Sequence, residues 1–203
     1  MKKIYFATWN KQKIHRMQSL AKNIANDFVI EPVPELIHVE ENWATPMENA
    51  EQKIVPYENL DFPIIAWDTG LYFEWIQFDP THVKRVALAN AWLEAEQCSQ
   101  EEIYSVLLNY YRDLADSHWW EFPFYYSDGW ALKSSDGSIK IFQSKRNNIL
   151  TNISHGEKQL YFPMCNLYKS SISWKYYTDR TESDMLCELQ WQIAILEDIY
   201  KSL

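Results

Sequence analysis

Glycine occurs only four times in this 203-residue chain, at Gly70, Gly129, Gly137 and Gly156. Phosphate-binding loops of the Walker type and dinucleotide fingerprints need clustered glycines, because a backbone without Cβ atoms can approach phosphate closely. The four glycines here are scattered, so neither loop can be built. Any phosphate site in this chain must rely on side chains and helix N-termini.

The order of apolar runs points to an α/β fold. Lys3 to Thr8 reads as a strand, Lys11 to Ile24 as a helix and Phe28 to Val33 as a second strand ended by Pro32 and Pro34. An acidic loop covers 35–45. Thr45, Pro46 and Glu48 then form the pattern of a capping box with proline at the first helical position, and that helix runs to about Val55. Pro63 to Trp67 reads as a strand entering a turn at Asp68-Thr69-Gly70, with Leu71 to Trp75 leaving it as a second extended run. Residues 80–95 and 99–114 are helical in pattern, the latter with Ile103, Val106, Leu107, Tyr110 and Leu114 on one face. Residues 119–132 alternate as a long strand, Asp136-Gly137 signals a hairpin, and 138–145 returns. Residues 146–180 read as strand and loop. Asp184 to Leu203 reads as one final helix with Met185, Leu189, Ile193 and Leu196 inward. The antiparallel hairpin makes the sheet mixed rather than a strict parallel array.

Composition narrows the function. The net charge of -9 disfavours nucleic acid, whose phosphates such a chain repels, while a free nucleotide can still be held by a few local cations and a metal. No apolar run approaches a membrane span, and the N-terminus reads as a strand rather than a signal peptide, so the expected setting is cytoplasmic. Cys98, Cys165 and Cys187 are widely spaced without a CxxC, which argues against a disulfide framework or zinc knuckle and reads as three small buried residues. The five histidines, His15, His38, His82, His118 and His155, lack metal-ligand spacing and read as surface or core residues. Ten tryptophans and thirteen tyrosines read mainly as bulky core, with Trp119-Trp120 and Tyr125-Tyr126 as alternative stacking surfaces.

Three stretches could carry chemistry. Thr8-Trp9-Asn10-Lys11-Gln12-Lys13 lies where a strand meets a helix, gathering a hydroxyl, an amide and two lysines. On spacing alone, an ordinary cap with solvated lysines is the plainer reading of the same residues, since such caps are common. Glu40 and Glu41, followed by Glu48, Asn49 and Lys53, offer carboxylates suited to Mg²⁺, or simply a solvated helix face. Asp68 ends an apolar strand, a common place for a working carboxylate, or an Asx turn.

Taken together and in this order, the three stretches resemble the inosine triphosphate pyrophosphatase family. That family opens with a strand and Thr-x-Asn-x-x-Lys, matched by Thr8, Asn10 and Lys13. It continues with a helix reading Thr-x-x-Glu-Asn-Ala and a following Lys, matched by Thr45, Glu48, Asn49, Ala50 and Lys53. Its acidic turn is matched by Asp68-Thr69-Gly70-Leu71. The resemblance is carried by residues 3–75 and continues beyond them only in element order and length.

The resemblance implies a mixed twisted sheet with flanking helices in two lobes around a central cleft. Lobe 1 would be about 1–75 with 181–203, and lobe 2 about 76–180. It implies Mg²⁺-dependent hydrolysis, with Mn²⁺ as a substitute, of a nucleoside triphosphate to monophosphate and pyrophosphate, in a homodimer. Thr8, Asn10, Lys13, Lys53 and Thr69 would hold the triphosphate. Lys13 and Asp68 would serve catalysis. Glu41, Asp68 and Glu48 would hold the metal. Tyr161, Phe162 and Asp184 stand nearest to the family's base pocket.

Four departures bear on that reading. Trp67 replaces a second acidic residue before Asp68, which would weaken the metal site or move it to Glu40, Glu41 or Glu48. Trp9 replaces a small residue and would reshape the phosphate pocket. Gln159-Leu160-Tyr161-Phe162-Pro163 lacks the Gly and Asp of the family's base-reading loop. Ser183-Asp184-Met185 replaces Ser-His-Arg. A site that reads a base discriminates strongly only while its donors are present, so altered base recognition is expected. A non-catalytic nucleotide- or protein-binding descendant of the same fold, and a hydrolase of another phosphorylated small molecule, stand as alternatives.

Overall fold

The computed structural model describes residues 1–39, 45–73, 83–94, 97–118, 121–160 and 162–203. Six strands, β1 (Lys2–Phe6), β2 (Phe28–Pro32), β3 (Ile64–Phe73), β4 (Glu121–Lys133), β5 (Ile139–Thr151) and β6 (Tyr168–Ser170), form one mixed sheet in the order β2-β1-β3-β4-β5-β6. The helices are α1 (Lys11–Ile24), α2 (Pro46–Gln52), α3 (Val83–Asn90), α4 (Gln100–Asp116), α5 (Glu182–Glu188) and α6 (Gln190–Ser202). β1 pairs in parallel with both β2 and β3, and β5 pairs antiparallel with β6. The mixed sheet with flanking helices expected from the sequence is the fold.

The chain divides into two compact units. The first comprises Met1–Gly70, Ser127–Lys145 and Leu189–Leu203; the second comprises Leu71–Tyr126 and Arg146–Glu188. The boundaries expected from sequence differ at 71–75, at 181–188 and most at the hairpin, whose tip belongs to the first unit. The reason is packing: Ala131 joins the buried cluster of Ala50, Ile54, Ile64 and Ala66, and Trp130 stacks on Trp67 with centroids 5.0 Å apart.

Within the first unit, α1 begins where the periodicity places it. The Asn10 side chain accepts from the amides of Gln12 and Lys13 and closes the first turn. Of the stripe Ile14, Met17, Ala21 and Ile24 that helical spacing predicts, Met17 and Ala21 are buried, joined by Leu20, while Ile14 and Ile24 are half-buried. α2 carries the predicted capping box between Thr45 and Glu48. α6 buries Gln192, Ile195, Leu196 and Ile199.

Within the second unit, α4 buries Ile103, Tyr104, Leu107, Tyr111 and Ala115. Phe122, Phe124 and Tyr126 of β4 pack with them, together with Met164, Cys165 and Tyr168. Tyr168 meets the Phe124 ring edge-on at 5.4 Å. Much of the aromatic content is therefore core. Burial raises the Cys165 thiol pKa to about 12, with Arg180 and a backbone hydrogen bond only partly opposing it.

Three expectations are corrected. Asp68-Thr69-Gly70 is not a turn: β3 runs unbroken through it, because β3 is held in the sheet between β1, which pairs with it at Ile64 and Ile65, and β4, and tertiary pairing overrides the turn-like composition. The final helix is two helices. Leu189 departs from helical geometry between them, at the passage from one unit to the other, and Met185 is exposed rather than inward. Of the cysteines only Cys165 is buried; Cys98 is half-buried and Cys187 exposed. The far end of the run at 71–75, the start of the 80–95 helix, and Trp119-Trp120 lie outside the described residues. No described helix is long and apolar enough to cross a membrane.

Candidate active site

Asp68 sits mid-strand on β3, and its neighbours Trp67 and Thr69 point to the opposite face, as strand alternation requires. α2 approaches Asp68 with Asn49 and Lys53, one helical turn apart and hence on one face. Asn49 Nδ2 donates to Asp68 Oδ2 at 2.9 Å, and Lys53 Nζ donates to Oδ1 at 2.9 Å. Lys13, from the first turn of α1, places its Nζ 3.8 Å from the same Oδ1 and donates to the Trp67 carbonyl at 3.1 Å. Three elements thus converge on one carboxylate.

Burial by itself would raise the Asp68 pKa. The Lys53 and Lys13 charges, with the hydrogen bonds from Lys53 and Asn49, outweigh burial and hold it below the ordinary carboxylate value. Asp68 is therefore ionised at neutral pH. Asn49 must turn its amide nitrogen toward an acceptor-only carboxylate, which leaves Asn49 Oδ1 buried with no hydrogen-bond partner among the described residues.

These groups share a pocket of about 300 Å³, lined by Ala7, Thr8, Trp9, Asn10, Lys13, Leu36, Ile37, His38, Val39, Lys53 and Asp68. Thr8, Asn10, Lys13, Lys53 and Asp68 are thus brought together as the sequence predicts. Two of the α1 amides that could have cradled phosphate are capped by Asn10 itself, at 3.0 and 3.1 Å. The cradle is left to side chains.

Other predicted residues are placed elsewhere. Glu48 is exposed, and its Oε2 accepts from the Thr45 amide and hydroxyl at 3.0 and 2.9 Å; its carboxylate serves the cap and does not line the pocket. Thr69 donates to Asp128 at 2.8 Å on the far face of β3. In the second unit, Phe162 packs against Tyr126, Tyr168 and Tyr177. Asp184 accepts from the Thr181 amide at 2.8 Å and from Lys175 at 2.7 Å, opening α5. Those hydrogen bonds, Lys175 first and then Thr181, lower its pKa to about 2. Glu40, Glu41 and Tyr161 lie outside the described residues. Among the described residues no cluster of three His, Cys, Asp or Glu could hold a metal.

Sequence reasoning missed Asp128 and the lining residue His38. Asp128 is fully buried. Its Oδ1 accepts from Trp67 Nε1 at 3.0 Å and Thr69 Oγ1 at 2.8 Å; its Oδ2 accepts from Gln192 Nε2 at 2.9 Å and Ser144 Oγ at 3.4 Å. Trp67, the departure noted above, thus serves a buried acceptor on the face away from Asp68. The available signal was Ser127-Asp128-Gly129 inside an otherwise aromatic strand, a composition strands avoid.

The unpartnered Gln192 Oε1 sets the expected effect of changes at Asp128. Asp128→Asn keeps Oδ1 toward Trp67 and Thr69, and its new amide can donate to Ser144 and to Gln192 after an amide flip. It should cost about 1 kcal/mol. Asp128→Ala strands the Trp67 and Gln192 donors in the core and should cost about 3 kcal/mol or more. Urea denaturation of both variants checks this, and equal losses would refute the account.

Residues 4–158 match the Ham1 family. The chain belongs to the Ham1 family. Membership agrees with the resemblance read from residues 3–75. Among solved structures, the Ham1 protein of Staphylococcus aureus aligns over 98% of each chain at 20% identity with a TM-score of 0.71. A HAM1 protein from Coxiella burnetii aligns over 100% of each chain at 17% identity, also at 0.71. A nucleoside-triphosphatase, dITP/XTP pyrophosphatase, from Mycobacterium abscessus covers 97% of this chain and 98% of its own at 15% identity, with a TM-score of 0.60. At these identities the likeness is one of fold. No curated protein matches the chain in sequence.

Proposed function

We propose that this Ham1 family member hydrolyses a nucleoside triphosphate to the monophosphate and pyrophosphate in the pocket around Asp68. The observation that carries the reading is the convergence of Lys13, Lys53 and Asp68 on one cavity. Two ammonium groups there can meet the charge that grows on phosphate oxygens. The solved structure named as a dITP/XTP pyrophosphatase supports the same reaction class.

The donor set fits a phosphate-borne Mg²⁺. That ion takes one or two carboxylates and otherwise keeps phosphate and water ligands. Asp68 offers about four acceptor positions, and Asn49 and Lys53 take one each. When bound, the ion supplies positive charge against the triphosphate. Asp68 would hold it, with Mn²⁺ able to substitute.

In this reading Lys13 and Lys53 grip the phosphates, and Thr8 and Asn10 add hydrogen bonds at the mouth of α1. Water attacks the α-phosphorus; the bond to the bridging oxygen breaks, the electron pair leaves with pyrophosphate, and the proton that the water loses passes to solvent. A carboxylate held below its ordinary pKa is a weak proton acceptor, so Asp68 orients the water rather than fully deprotonating it. Base recognition differs from the family's, because Asp184 is committed to Thr181 and Lys175.

A panel of nucleoside triphosphates assayed with Mg²⁺ or Mn²⁺ should release pyrophosphate. Binding without turnover would establish a non-catalytic descendant, and orthophosphate as sole product would overturn the reaction proposed. The lowered Asp68 pKa also fixes a pH dependence. Its ionised form stabilises the fold at pH values above the unfolded pKa of about 4, and that stabilisation is lost as pH falls through the lower folded value. The difference in unfolding free energy between the native chain and Asp68→Asn should therefore be level from pH 7 to about pH 5 and change only in more acid solution. A steady drift across neutral pH would contradict the assignment.

A further inference from the structure

The pocket's lining is graded in depth. Lys13, Lys53 and Asp68 are deep, with side chains 21%, 18% and 13% exposed. Trp9, beside Asn10 on the same pocket, is 71% exposed, and Ile37 is 46% exposed. Trp9 makes no ring contact with another described residue. A large flat side chain left uncovered at a cavity mouth is an unsatisfied apolar surface.

The cavity also sets a size limit. At about 300 Å³ it lies at the bottom of the range for sites that enclose a whole drug-sized ligand. It can take a polyphosphate on its charged floor, but the nucleoside must leave through the mouth, where the Trp9 ring stands. We infer that Trp9 is a specificity-determining residue, a stacking platform for the base of a nucleoside triphosphate whose phosphates lie on Lys13 and Lys53. The inference rests on the polyphosphate reading of the pocket. Every base has a π-face and Trp9 offers no base-edge code, so the platform favours nucleosides over bare polyphosphate without choosing among bases. This is consistent with an Asp184 turned to helix capping.

The test is direct binding by calorimetry of α,β-methylene analogues of ATP, GTP, CTP and UTP, and of inorganic tripolyphosphate, to the native chain, Trp9→Ala and Trp9→Phe. Trp9→Ala should weaken all four nucleotides about ten-fold while leaving tripolyphosphate within two-fold, and Trp9→Phe should restore most of the loss. Equal weakening of tripolyphosphate would mean that Trp9 only shapes the phosphate site. Loss confined to one base, no loss at all, or no nucleotide binding to the native chain would also overturn the inference. Nucleotide-selective weakening without turnover by the native chain leaves the platform standing and removes the reaction. Turnover with Trp9→Ala unchanged does the reverse.

Discussion

Asp68→Asn is expected to lower kcat by about 10³-fold, near 4 kcal/mol of barrier, with the fold intact. The fold survives because the substitution is isosteric and its surroundings can adapt. The new amide keeps Oδ1 toward Lys53, and its nitrogen faces Asn49, whose Oδ1 lacks a partner. An amide flip of Asn49 turns a donor–donor clash into a hydrogen bond. What is lost is the negative charge that, in the proposed reaction, would orient the water and hold the metal. The same change removes one negative charge beside Lys13 and Lys53, so tripolyphosphate should bind several-fold more tightly to the variant. Opposite movement of kcat and polyphosphate affinity separates a working carboxylate from a merely structural one. Pyrophosphate release and a tripolyphosphate inhibition constant, measured on the same preparation, decide it. Weaker polyphosphate binding in a folded variant would mean that Asp68 holds the lysines in place instead of competing with substrate for them.

Asn10, Lys13, Asn49 and Lys53 were legible in the sequence because each sits at or beside a local helix signal, whereas the lining residue His38 carries none. Asn10 caps α1, Thr45 and Glu48 cap α2, and helical spacing then fixes where Lys13, Asn49 and Lys53 point. The strand-to-helix order set by β1, α1 and β2 follows from the same periodicities. What was not legible depends on partners distant in the chain. Asp68-Thr69-Gly70 has a turn's composition, and only the strands beside it hold it extended. Glu48 carries a side chain of the metal-ligand type, yet its Oε2 accepts the cap bonds and the residue is not among the pocket's lining. Asp128 gains its meaning from Trp67, Ser144 and Gln192, which lie on β3, β5 and α6. No spacing rule along the chain links those four. The break at Leu189 involves neither Pro nor Gly, so the residues that usually announce a helix end are missing.

Gly129→Ala is expected to cost about 3 kcal/mol or more of stability. A Cβ built on Gly129 would lie 2.3 Å from Met47 N and from the Pro46 carbonyl carbon and oxygen. These are backbone atoms of the first turn of α2, so no rotamer change can relieve the overlap; β4 or α2 must move. In an unobstructed strand the same substitution would be mildly favourable, because alanine loses less backbone freedom on folding than glycine. The sign is therefore set by the clash. The consequence reaches the pocket, since α2 delivers Asn49 and Lys53 to Asp68 through two bonds of 2.9 Å. A shift of α2 by about 1 Å takes both beyond hydrogen-bonding distance and should lower turnover about 10²-fold in whatever fraction still folds. Gly137→Ala is the control. Its φ of +82° makes alanine strained, but nothing lies within 4 Å of the added methyl. It should cost only about 1 kcal/mol and leave turnover unchanged. Urea denaturation and pyrophosphate release on the two variants test the contrast. A Gly129→Ala chain as stable as the native one would mean that β4 and α2 approach less closely than this packing requires, and the support of Lys53 by β4 would then have to be abandoned.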